Sequence, residues 1–112
     1  MATNFEAFVL KLAEEAPHAV VLDWFRRLDL MIRDYRKSRG IHLRSKHTSE
    51  SVIARDPLLG GTVADTIAKL RKVRNDVAHT DVQVSSETAI EYARQCFLLI
   101  GVLWKARDAH AA

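Results

Sequence analysis

The chain has 112 residues, 48% hydrophobic and 28% charged, with a formal net charge of +3 and a sequence pI near 9.3, which suits one globular domain and excludes a disordered segment. No apolar run approaches the roughly 18–20 residues of a membrane span, and the N-terminal stretch lacks a basic-then-apolar leader. Cys96 is the single cysteine, so an internal disulfide is excluded and a reducing, cytoplasmic setting is expected.

Thr3 and Glu6 read as a capping box opening a short first helix, with Phe5, Phe8, Val9 and Leu12 as its apolar face. Pro17 suits the opening turn of the next helix, where its missing N–H would have no partner anyway. That helix is expected to run to about Arg39 and stop at Gly40. Val21, Trp24, Leu28, Met31 and Tyr35 alternate by three and four, widened by Val20, Phe25 and Ile32, as in a helix packed within a bundle. Asp29 and Arg33 form an i, i+4 pair beside that stripe. Residues 40–49 are a basic, aperiodic loop. Arg44 and Lys46, with Arg39, His42 and His47, are candidates for gripping phosphates, though an ordinary solvated loop is the simpler reading. His42 and His47 make a poor metal pair, because no Cys or carboxylate completes a ligand set. Neither a metal nor another cofactor is expected.

Ser49 to Arg55 reads as a short helix before a turn punctuated by Pro57, Gly60 and Gly61. The glycines lack the lysine and the spacing of a phosphate loop. Thr62 and Asp65 are placed to cap a further helix. Its charges Lys69, Arg71 and Lys72 spread around several sides and read mostly as solubilising, with Lys69 and Lys72 held as candidates for touching the backbone of a nucleic acid. Thr80 to Val84 makes a reversal, and Ser85 or Ser86 starts the last helix with Glu87 in its favourable first turn. Two stripes run along this helix: Ile90, Ala93, Phe97, Ile100 and Trp104, then Tyr92, Cys96, Leu99 and Leu103. A helix apolar on two sides is expected to be buried on two sides, the second against a partner subunit. Cys96 reads as a small core residue. His18 and His110 have no readable context, and the Ala-rich tail after Arg107 is expected to fray. The expected architecture is an all-α antiparallel bundle of four main helices with a short fifth. It forms one domain over residues 1–112, with its core at about 17–106, closing into a homodimer.

Lys69 to His79 carries more information. Val63, Ile67, Leu70 and Val77 mark an apolar stripe at i, i+4, i+7 and i+14. Its missing member is Arg74, a permanent charge where the pattern asks for a core residue. Such a placement is costly unless the guanidinium is paired, faces a wet crevice or meets a second subunit. Asn75 and His79 are four apart and share a helix face. Arg74 and His79 are five apart, roughly 140° around the helix, so a helix end, a bend or a second copy of the chain is needed to aim both at one atom.

Arg74-Asn75-Asp76-Val77-Ala78-His79 resembles the Arg-x4–6-His motif of HEPN domains, including the polar residue that follows the arginine. The stretch from Pro17 through Trp24, Leu28 and Asp29 to Arg33 is similar to the first core helix of many bacterial members, and Ser85 to Ile90 onward to their last helix. The resemblance implies a metal-independent endoribonuclease in which two copies of the motif meet across a two-fold axis. Arg74 would then stabilise phosphate charge, His79 would act as acid or base, and Asn75 would position either of them. Asp29 stands where the family often has a glutamate that orients the arginine, and Asp76 is a second acidic neighbour. RNA or a nucleotide is the implied ligand, and an antitoxin-like or regulatory protein an implied partner. Asp81 stands where one antitoxin-paired branch has a tyrosine, which argues against carrying over that branch's partner. Two other readings use the same residues: a non-catalytic binding or regulatory module, and a dimerisation module in which Arg74 pairs with Asp29 or Asp76.

Overall fold

The computed structural model describes residues 4–40 and 48–111. Arg44 and Lys46, with the rest of the basic loop from 41 to 47, lie outside the described residues, as does Thr3 of the expected capping box. The described chain is all-helical: α1 (Asn4–Glu15), α2 (Pro17–Ser38), α3 (Ser49–Arg55), α4 (Gly61–His79) and α5 (Ser86–Ala111).

α1 turns Val9 and Ala13 into the core, with Phe5 and Leu12 packed against it, while Phe8 is exposed. The buried face is centred on positions 5, 9, 12 and 13, and Phe8 falls about 60° to one side of Phe5. After Ala16, Pro17 opens α2 without a side-chain cap. α2 buries all eight apolar residues of its expected stripe, from Val20 to Tyr35. It stops where Arg39 donates its N–H to the Tyr35 and Arg36 carbonyls and Gly40 takes φ 71°, a left-handed conformation that glycine adopts without steric cost.

Thr48 caps α3 by accepting the Ser51 N–H at 3.1 Å, and α3 buries Val52 and Ile53. The expected Thr62 cap of α4 is not used. The Asp56 carbonyl takes the N–H groups of Leu59 and Gly60, which turns the chain so sharply that Gly60 (φ 85°, ψ 179°) becomes the N-cap and helix begins at Gly61. At α5 the side chain of Ser85 accepts the Thr88 N–H at 3.1 Å.

The core is built chiefly where α2 packs on α5. Trp24 lies near Phe97, with ring centroids 6.2 Å apart, and Asp34 is paired with Arg107, so these two helices run parallel. α1 folds back antiparallel to α2 through the tight turn at Ala16, with Phe5 edge-on to Trp24 at 4.8 Å. α4 also runs antiparallel to α2: Arg71 stands over Phe25, and Ala78 faces Leu22 across a shared crevice.

The last turns of α5 are held rather than frayed. Arg107 pairs with Asp34, and His110 Nε2 lies 2.7 Å from Asp56. Asp56 is 1% exposed and also accepts the Tyr35 hydroxyl and the Leu58 N–H. Arg39 Nη1 lies 3.1 Å from His110 Nδ1. A guanidinium can only donate, so Nδ1 accepts and Nε2 carries the proton given to Asp56. Burial pushes the Asp56 pKa up, but hydrogen bonds from Tyr35, Leu58 and His110 outweigh it and hold the carboxyl below its ordinary value.

Of the two α5 stripes, Tyr92, Cys96, Leu99 and Leu103 are buried. On the other, Ala93 is buried and Ile90 and Ile100 half-buried, while Phe97 and Trp104 are 49% and 53% exposed. Leu98 and Val102 add to the uncovered apolar surface.

Candidate functional site

The last two turns of α4 build the site. Leu70 and Val77 anchor the helix in the core, and Tyr92 of α5 fixes its rotation by donating its hydroxyl to the Leu70 carbonyl at 2.7 Å. Burial raises the pKa of Tyr92, so this hydroxyl stays a donor. With Leu70 and Val77 inward, Arg74 lies at the boundary and is half-buried. It faces a crevice of about 520 Å³ between α2 and α4. α2 contributes Leu22, Phe25, Arg26 and Asp29 to its walls, and α4 contributes Arg71, Arg74, Asn75 and Ala78.

Arg74 Nη1 donates to Asn75 Oδ1 at 3.0 Å. Among the described residues no carboxylate stands within 4 Å of its guanidinium. Asp29 lines the same crevice but is turned to other partners, with Arg33 Nε at 3.4 Å and Arg71 Nη1 at 4.0 Å. The orienting contact from Asp29 to Arg74 is therefore not made within this chain. Asp76 is half-buried, and its carbonyl accepts the Thr80 N–H at 2.9 Å, closing α4. His79 is the last residue of α4, exposed and outside the crevice lining. The helix thus brings Arg74 and Asn75 together and leaves His79 around its side, as their five-residue spacing requires.

The two candidate lysines do not join them. Lys69 borders a separate groove between α4 and α5, with Val73, Glu87 and Glu91, and Lys72 is exposed without lining either hollow. Sequence reasoning passed over Arg71, which lies one turn before Arg74 and on its side of the helix. The i, i+3 spacing of two arginines was the available signal. His18 also acquires a context: its Nε2 donates to the Val82 carbonyl at 2.9 Å, tying the turn after His79 to the start of α2.

Cys96 is buried and its thiol pushed up to about 12 by that burial, which makes it an inert core residue. No three His, Cys, Asp or Glu side chains converge among the described residues, and no described helix is long and apolar enough to cross a membrane. The crevice combines fixed positive charge with an apolar wall, an arrangement that can hold a phosphate beside a planar group. In comparisons with known proteins, the chain matches no protein-family model, no curated protein and no solved structure.

Proposed function

We propose that the chain is a HEPN-like, metal-independent endoribonuclease of the cytoplasm, a helical bundle that works as a homodimer. The observation that carries this reading is Arg74. It is a half-buried guanidinium at the mouth of a wide crevice, hydrogen-bonded among the described residues only to the neutral Asn75, so its charge is left for a ligand. A guanidinium so placed stabilises the charge that gathers on a phosphate during cleavage.

The reaction needs two proton transfers. The RNA 2′-hydroxyl loses its proton and attacks the adjacent phosphorus, the P–O5′ bond breaks, and the departing oxygen gains a proton. The products are a 2′,3′-cyclic phosphate and a 5′-hydroxyl. Histidine titrates in the range such transfers require. His79 of one copy lies outside its own crevice, so the proposed site is composite, with two motifs facing each other across a two-fold axis. The exposed apolar side chains of α5, Phe97, Leu98, Val102 and Trp104, supply the surface proposed to hold the copies together.

The test is labelled single-stranded RNA incubated in EDTA with the wild type, Arg74→Ala and His79→Ala, alongside light scattering for oligomeric state. Cleavage by the wild type alone, from a dimer, is the expected result. Cleavage that needs added metal, survives both substitutions, or comes from a clean monomer overturns the mechanism. A second reading, an RNA-binding regulatory module without catalysis, is favoured by the separation of His79 from the crevice. An inert wild type that still binds RNA would establish it.

A further inference from the structure

Arg71, on the α4 wall of the crevice, reaches the α2 wall and α3 without being used up by those ties. Its Nε donates to Glu50 of α3 at 3.0 Å. Its guanidinium carbon lies 5.2 Å from the centre of the Phe25 ring. The Asp29 oxygen at 4.0 Å from Nη1 is close enough to attract but beyond hydrogen-bonding distance. Among the described residues, Nε is therefore the one nitrogen of the fork with an acceptor, and the side chain is 36% exposed beside Arg74. A guanidinium over an aromatic ring and pinned at one nitrogen has already lost rotamer freedom, so less remains to be lost when it binds. The third arginine of the crevice, Arg26, differs. It is 67% exposed and its ion pair is to Asp23 on its own helix at 3.4 Å, so no second element fixes its fork in the crevice.

We propose that Arg71 is a second phosphate-holding cation of the site. Resting on the ribonuclease reading above, the assignment places one backbone phosphate of single-stranded RNA between the forks of Arg71 and Arg74, with Glu50 of α3 as the residue that positions Arg71. This gives α3 a part in the site. The charge of Glu50 and Asp29 weakens the pull of Arg71, so Arg74 dominates and Arg71 fixes where the phosphate sits.

The experiment is fluorescence anisotropy of a labelled oligouridine RNA across a series of salt concentrations, in a His79→Ala background that keeps the RNA intact. Removing one cation that neutralises a single-strand phosphate lowers the salt slope by about 0.7. Arg71→Ala weakens binding on the order of tenfold and lowers the slope by about that amount. Arg71→Lys keeps the charge and the slope but loses the fork, so affinity falls by about threefold or more. Glu50→Gln keeps an acceptor for Nε and leaves the slope unchanged. Should Arg71→Ala fail to fold, Arg71→Lys decides, and unchanged affinity there overturns the assignment. An unchanged slope in folded Arg71→Ala, or the same fall in slope in Glu50→Gln, reduces Arg71 to a structural tie and overturns the assignment while leaving Arg74 in place. If the His79→Ala protein binds no RNA, or Arg74→Ala leaves binding untouched, the underlying reading falls and this one with it.

Discussion

Asp56→Ala is the substitution whose cost follows most directly from the geometry. It strands the buried Tyr35 hydroxyl and the Leu58 N–H and deprives His110 Nε2 of its acceptor. A buried polar group left unpaired costs about 1–3 kcal/mol. Leu58 is exposed and His110 borders solvent, so water relieves part of the loss at those two. Tyr35 has no such relief, being fully buried. The sum is about 3–4 kcal/mol, a large fraction of the 5–15 kcal/mol typical of a domain. At pH 7 this appears as a fall of about 2 M in the urea midpoint, for a slope of roughly 1–3 kcal/mol per molar. Tyr35→Phe alone costs about 1–2 kcal/mol, because Asp56 keeps its other donors, and the double variant costs less than the two singles together. The acid limb supplies a second readout. The folded pKa of Asp56 lies below its unfolded value, near 3.9. Its stabilisation is therefore complete above the unfolded pKa and lost as pH falls through the folded one. Asp56→Asn flattens that part of the curve. A loss below about 1 kcal/mol for Asp56→Ala, or an acid limb unchanged by Asp56→Asn, would refute the reasoning.

On the proposed ribonuclease reading, Arg74→Ala lowers cleavage by about a hundredfold or more while shifting urea stability by less than about 1 kcal/mol, since the hydrogen bond it loses is to exposed Asn75. A large loss of stability would instead mark Arg74 as a structural ion. Gly60→Ala costs about 1–3 kcal/mol by thermal melt, purely through backbone strain at φ 85°, because an added Cβ meets no atom within 4 Å. Cys96 stays unmodified by a thiol reagent in the folded protein and reacts only at the rate of unfolding, and prompt labelling would contradict its burial. Leu98→Glu with Val102→Glu converts the proposed dimer to monomer in light scattering, at little cost to the monomer because both side chains are exposed.

Helix positions were legible wherever local chemistry decides them. Pro17, Gly40 and Ser85 mark real boundaries, the short helix Ser49–Arg55 forms over the expected residues, and the α2 stripe is buried residue for residue. Periodicity failed where the answer lay in another element. Thr62 is a sound cap in isolation, but the turn set by Asp56 starts α4 before it. Phe8 fits an apolar face, but α1 meets only the sector around Val9 and Ala13. The tail after Arg107 looked free because its partners, Asp34 and Asp56, lie far away in sequence. At the site, the gap at Arg74 in an apolar stripe was visible, and so was its angular separation from His79. The Asp29–Arg33 pair was readable as i, i+4, but that Asp29 also reaches toward Arg71, and that α3 supplies Glu50, depends on how three helices cross. No spacing within one helix encodes that.

The parallel pairing of α2 with α5 has a kinetic consequence. Helical proteins usually fold fast because their contacts are close in sequence. Here the principal interface joins positions such as Asp34 and Arg107, 73 residues apart, so a large loop must close before most apolar surface is covered. Refolding should be slow for an all-helical chain. During synthesis at about 5–20 residues per second, Val21, Leu28 and Tyr35 emerge several seconds before the helix that covers them, and through that interval α2 offers a bare apolar face to any chaperone at the ribosome.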